Sequence, residues 1–257
     1  DAGTLNLDHV EGAIEFKDVH FSYVPDEEVL HGISFSVQPG EKAAIVGATG
    51  AGKSTIINLL NRFYDIQSGE IRIDGTNIRE YQLASLRGNI AGVLPDVFLF
   101  ADTIGNNITL QDPEIPQEDI ESAARAIGVH EFSSSLPGGY SYNVKERGSM
   151  LSSGQRQLIA FLRAYMRNPG ILVLDEATSS VDTYTEQLIQ KATEKVTEGR
   201  TSIIIAHRLA TVKKVDKILV MDAGHIVETG THKELLKKKG YYSKLYEAQF
   251  MAEEELA

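Results

Sequence analysis

The stretch Gly47-Ala48-Thr49-Gly50-Ala51-Gly52-Lys53-Ser54-Thr55 is the densest run of chemically useful residues in the sequence. It fills the spacing G-x-x-x-x-G-K-[ST] with Gly47, Gly52, Lys53 and Ser54. Glycines there let backbone N–H groups turn inward with no Cβ in the way, which makes a nest for phosphate oxygens. A helix starting at the loop would add the positive end of its dipole. Lys53 supplies a point charge for the β and γ phosphates, and the Ser54 hydroxyl suits Mg²⁺. The apolar run from Lys42 to Val46 reads as a strand and the run from Ile56 to Phe63 as a helix. That context argues against a chance glycine turn. The spacing points to a nucleoside-triphosphate site.

Three further positions gain meaning from that loop. The run ILVLDE closes a buried-strand pattern on Asp175 and Glu176. Downstream of a phosphate loop, Asp175 would hold Mg²⁺ through water and Glu176 would polarise the attacking water. TSIIIAHR repeats the design and ends on His207, where open α/β sheets collect their ligand groups. Tyr23 in the first hairpin either stacks on a base or packs on a sheet face; taken alone, packing is the simpler reading.

The elements that must position these residues define an α/β fold. Residues 13–38 read as antiparallel β structure with a turn around Pro25 to Glu28, and GEIRI at 69–73 adds a short strand. From about 101 to 168 the pattern turns helical, broken at Asp112-Pro113 and Leu136-Pro137-Gly138-Gly139, and predicts an inserted α-helical subdomain. KILVMD and GHIVETG read as a hairpin, with helices from about Thr231. The expected fold is a phosphate-loop core with a mostly parallel sheet, an N-terminal antiparallel β subdomain and the helical insertion. At 257 residues with 42% apolar content, a substantial core is expected. The formal net charge of −11 argues against a nucleic-acid partner. With no Cys there is neither a disulfide framework nor a thiolate metal site. No apolar run approaches the ~20 residues a spanning helix needs. Lys237-Lys238-Lys239 is most simply a solvated face.

Together these motifs resemble the nucleotide-binding domain of an ABC (ATP-binding-cassette) transporter of exporter type, over nearly all of residues 1–257. LSSGQ, from Leu151 to Gln155, is similar to the family's signature loop and ends 20 residues before Asp175. SSVD, from Ser179 to Asp182, resembles the D-loop, His207 the switch histidine and Tyr23 the adenine-stacking aromatic. NVKERG at Asn143 to Gly148, with NRFYD, REYQLASLR and ADTIGNNI, has exporter character. The resemblance implies an ATPase using ATP and Mg²⁺, with Glu176 as base, His207 stabilising the γ-phosphate and the water, and Ser54 and Asp175 toward the metal. It implies a head-to-tail dimer with a second nucleotide-binding domain, identical or related. In it, Ser152, Ser153, Gly154, Gln155 and Asp182 act on the partner's ATP. A transmembrane domain outside this sequence would complete an exporter at the cytoplasmic face of the cell membrane.

Two positions depart from the family pattern. Ser153 stands where LSGGQ has a glycine, while Ser152 and Gly154 are retained. Pro95 stands where related exporters carry the Q-loop glutamine. Proline lacks the side-chain amide and the backbone N–H and fixes φ, so hydrolysis or its coupling to transport is expected to suffer, by roughly 10²-fold. The surface from Ile78 to Phe100 is where the family docks its coupling helices, although Val97, Phe98, Leu99 and Phe100 also suit a core. A low-activity subunit of a heterodimeric exporter is disfavoured because Glu176 and His207 are present. A soluble family member acting in repair or translation is disfavoured by the lack of a second cassette, a coiled coil or a basic surface. A kinase or GTPase is disfavoured by LSSGQ with ILVLDEATSSVD.

Overall fold

A computed structural model describes residues 2–176 and 181–249. In chain order the elements are β1 (Ile14–Val24), β2 (Glu27–Val37), β3 (Lys42–Gly47), α1 (Lys53–Leu60), β4 (Ser68–Ile73), β5 (Thr76–Asn77), α2 (Leu83–Gly88) and β6 (Ile90–Val93). There follow α3 (Ile104–Thr109), α4 (Gln117–Ile127), α5 (His130–Ser135), α6 (Ser153–Met166), β7 (Ile171–Asp175), α7 (Thr183–Thr197), β8 (Thr201–Ile205) and α8 (Leu209–Lys214). The chain closes with β9 (Lys217–Asp222), β10 (His225–Gly230), α9 (His232–Lys238) and α10 (Tyr241–Gln249). These form two compact units, the first drawn from Asp1–Ile90, Gly170–Glu176 and Gly199–Ala257, the second from Ala91–Pro169 and Ala177–Glu198.

The first unit carries two sheets. One has the order β2-β1-β4-β5 with antiparallel pairing throughout. In β1 the alternation of Ile14 and Phe16 is interrupted at Asp18, whose φ is 46°, and the register to β2 shifts between Phe16 and Val19. That bulge lets Val19 and Phe21 return to the buried face. The other sheet runs β10-β9-β3-β8-β7, with β3 parallel to both β8 and β9, β7 parallel to β8, and only β10 antiparallel. Ala43–Val46, Ile171–Leu174 and Ile203–Ile205 are fully buried. Such continuous apolar runs suit strands covered on both faces. Phe16, Phe21, Leu30, Ile56, Leu59, Ile45, Val173 and Ile203 belong to one apolar cluster. Burying each large side chain contributes roughly 1.5–3 kcal/mol.

The α/β class, the antiparallel sheet and the mostly parallel sheet match the sequence expectation. The helix after the glycine loop begins and ends earlier than its apolar run suggested, at Lys53 and Leu60. Gly52, at φ 99°, turns the chain directly into the first helical residue, a conformation that disfavours side chains. At the other end Asn61 N–H bonds Ile57 O, and Arg62 enters the left-handed region at φ 52°.

The second unit is built around α6, which packs against α3, α4 and α7. Leu158, Ile159, Phe161 and Leu162 of α6 are buried. Asn107 of α3, also buried, donates to Phe100 O at 3.0 Å and Thr103 O at 3.0 Å and accepts from Phe100 N at 2.8 Å.

Candidate functional site

Parallel pairing puts the C-terminal ends of β3, β8 and β7 side by side. Ile45 pairs with Ile205, and Ile205 with Asp175. The ladder continues past the strands, with Ala206 N bonding Ile45 O at 3.1 Å and Glu176 N bonding Ile205 O at 3.1 Å. The first residues beyond buried strands are therefore Ala48, Glu176 and Ala206-His207. Gly47 ends β3 against β9; a Cβ there would lie 2.3 Å from Met221 O, so no larger residue fits between the strands.

Lys53 is only 8% exposed and turns back over the loop, its Nζ donating to Gly47 O at 2.8 Å and Ala48 O at 2.9 Å. Burial holds its pKa below the usual lysine value, opposed by the nearby Asp175 charge. Beside it, Ser54 Oγ donates to Asp175 Oδ2 at 3.3 Å. Burial raises the Asp175 pKa, offset by the Ser54 hydrogen bond and by Lys53. The loop itself is closed by Ala51 N bonding Ala48 O at 3.1 Å, and a Cβ on Gly50 would meet nothing within 4 Å. An ammonium, a hydroxyl and a carboxylate thus converge at one end of the sheet. One hydroxyl and one carboxylate fit Mg²⁺, which keeps several waters and takes few protein ligands beside phosphate oxygens. Among the described residues no group of three or more His, Asp or Glu side chains is set for a metal.

Glu176 points elsewhere. Its Oε2 accepts from His207 N at 2.7 Å and Arg208 N at 3.0 Å, and its Oε1 accepts from the Thr211 hydroxyl. Burial pushes its pKa up, against the lowering by these donors. His207 has Nε2 3.9 Å from Asp175 Oδ1. Burial first, then the positive charges of Lys53 and Arg208, hold its pKa below the ordinary imidazole value and favour the neutral ring.

Tyr23 is 44% exposed and tied to α1, its hydroxyl 3.1 Å from Thr55 Oγ1 and accepting from Asn58 Nδ2 at 3.1 Å. Its ring meets Phe21 edge-on at 4.7 Å and Tyr64 edge-on at 5.0 Å. Tyr23 is thus anchored by Phe21 of β1, by Tyr64 and by α1, and part of its surface stays exposed.

The remaining candidates belong to the second unit. Ser152 caps α6, its Oγ accepting from Gln155 N at 3.1 Å while Gln155 Oε1 accepts from Ser152 N at 3.0 Å. Ser153 opens the first turn and Gly154 is buried. A Cβ on Gly154 would lie 2.7 Å from both Thr185 Cγ2 and Val181 Cγ1, so close packing of α6 on α7 requires this glycine. Asp182 caps α7, accepting from Thr185 N at 2.9 Å, which lowers its pKa. Ser179 and Ser180 of the D-loop stretch lie outside the described residues. Pro95 is exposed in a bend following β6. Of the neighbouring apolar residues Leu99 is buried, whereas Phe98 and Phe100 are exposed and meet edge-on at 5.1 Å. Arg163 of α6 fixes this segment through Phe98 O at 3.3 Å. Thr211 and Asn58 were not among the sequence candidates; only contacts across the fold reveal them.

Residues 30–179 match the family model described as ABC transporter. The chain belongs to the ABC transporter family. It is 49% identical over 249 residues to a probable multidrug resistance ABC transporter ATP-binding/permease protein, YheH, of Bacillus subtilis, covering 97% of this chain and 37% of that protein. It is 48% identical over 250 residues to an ATP-dependent lipid A-core flippase of Saccharophagus degradans, covering 97% of this chain and 43% of that protein. The structure of a bacterial Atm1-family ABC exporter with ATP bound matches at a TM-score of 0.88 and 42% identity, over 97% of this chain and 43% of that one. This ABC transporter chain therefore spans about two-fifths of the length of these relatives. Among its described residues no helix is long and apolar enough to cross a membrane.

Proposed function

We propose that residues 1–257 form the ATP-hydrolysing nucleotide-binding domain of an exporter, with a helical subdomain inserted at about 101–168. The convergence of Lys53, Ser54 and Asp175 at the strand ends carries this reading, with the family membership behind it. Gly47 to Thr55 would cradle the phosphates and Lys53 would hold their charge. Tyr23 would offer its ring to the adenine. Ser54 and Asp175 would hold Mg²⁺, which when bound offsets the clustered negative charge. Glu176 would take the proton of the attacking water as the bond from the γ-phosphorus to its bridging oxygen breaks, giving ADP and phosphate. His207, neutral and next to Asp175, would steady the γ-phosphate and the water.

Each chain holds half of the machinery in this reading. Ser152, Ser153, Gly154, Gln155 and Asp182 would serve ATP on a second nucleotide-binding domain, identical or related, and closing and reopening of that pair would drive export. A membrane-spanning domain of the same exporter would transmit the motion and hold the chain at the cytoplasmic face of the cell membrane. The relatives named as ATP-binding/permease proteins support that partnership. The net charge of −11 supports a reading without a nucleic-acid partner.

Pro95 makes the proposal sharper. Replacing it with glutamine restores a side-chain amide that can orient water, so Pro95→Gln should raise Mg²⁺-dependent hydrolysis, by up to roughly 10²-fold. The test measures hydrolysis against protein concentration for both chains. Rates rising faster than linearly, and higher for the glutamine variant, are expected. Equal, strictly linear rates would overturn both the shared site and the role of Pro95.

A further inference from the structure

Resting on the reading of Glu176 as the base, we infer that Thr211 is a positioning residue that holds the Glu176 carboxylate so that the lone pair remaining on Oε1 keeps one direction for taking a proton. A carboxylate offers about four lone-pair sites. Oε2 is engaged by two backbone donors, His207 N at 2.7 Å and Arg208 N at 3.0 Å. Oε1 accepts the Thr211 hydroxyl, and among the described residues no second donor reaches it, which leaves one site on Oε1. The two amides belong to the segment linking β8 to α8, and Thr211 lies one helical turn past His207 inside α8. The three donors therefore come from one short stretch of backbone. They act as a single bracket.

Without the hydroxyl, the two amides still hold Oε2, but rotation about the carboxyl bond is no longer stopped at Oε1. The free lone pair then loses its direction, and proton transfer to a general base depends on that direction. Valine is the suitable probe because it keeps the β-branched shape and the helix preference while removing only the donor. Serine keeps the donor.

The experiment compares the wild-type chain with Thr211→Val and Thr211→Ser. Steady-state hydrolysis is measured with Mg²⁺ and ATP, and amide proton shifts of His207 and Arg208 without nucleotide. The valine variant should lower kcat roughly 10- to 100-fold with KM for ATP within about twofold, and serine should restore it. In the same variant the two amide protons should move, and in the serine variant they should return. An unchanged or increased kcat, or a loss carried by KM, overturns the inference. So do amide shifts indifferent to valine. If the wild-type chain hydrolyses no ATP, the ATPase reading fails by itself, and the amide shifts still decide whether Thr211 orients Glu176.

Discussion

The phosphate-loop end of the first unit and the start of α6 in the second both present polar groups of the family's chemistry, yet they hold them differently. In the first, Lys53 is buried and bonded to carbonyls of its own loop, and Asp175 and Glu176 are shifted by burial. In the second, Ser152 and Gln155 satisfy one another at an exposed helix start, and only Gly154 is buried. The first region is costly to desolvate, which in the proposed reading prepares it for phosphate. The second is a well-capped helix end whose groups serve the fold first. Loss of function should thus separate from loss of stability in the first region, whereas in the second a substitution that breaks the cap or the packing should cost stability as well.

The largest expected effect tests that separation. Lys53→Ala removes a buried ammonium, and hydrogen bonds from charged groups contribute roughly 1.5–3 kcal/mol. ATP affinity should fall about 10- to 100-fold by calorimetric titration, with the urea midpoint little changed. A large drop in stability with affinity intact would erase the contrast.

Next comes Gly154→Ala. Its Cβ must displace the Thr185 and Val181 methyl groups, and overpacking less the gain in helix propensity gives a cost of about 1–2 kcal/mol in urea unfolding. Ser152 sharpens the comparison further. Ser152→Ala forfeits the cap at about 1 kcal/mol, whereas Ser152→Asp keeps a good cap. Equal stability with reduced hydrolysis in the aspartate variant would show that the position also faces phosphate.

The smallest effect concerns an exposed pair on the antiparallel sheet. His20 Nδ1 lies 2.5 Å from Glu28 Oε1, which raises the His20 pKa and lowers that of Glu28. A raised histidine contributes fully below its unfolded value of about 6.5, and the contribution fades as pH rises through the folded pKa. The lowered Glu28 keeps its share until pH falls through its depressed folded pKa. His20→Gln should therefore flatten the decline in stability above about pH 6.5, measured by urea melts across pH.

What the sequence made legible was local. Gly47, Gly52, Lys53 and Ser54 could be proposed as a phosphate loop because such a nest is made from consecutive backbone, and buried parallel strands announce themselves as unbroken apolar runs ending on Asp175 and near His207. Contacts set by strand order or helix phase were not legible. Thr211 meets Glu176 only because β7 and β8 are neighbours and α8 starts at Leu209. The packing demand on Gly154 depends on α7. Along Val97 to Phe100 one apolar run hides a buried Leu99 between two exposed phenylalanines, since nothing in it reveals which way the chain turns after β6.

In the proposed dimer each chain supplies half of two shared sites. The most direct test mixes a Lys53→Ala chain with a Ser152→Asp chain. Alone, each lacks either a phosphate loop or a working signature in every site it can build. A mixed pair regains one site with both halves intact, so the mixture should hydrolyse ATP well above the sum of the separate rates. A mixture that only equals that sum would rule out the shared sites.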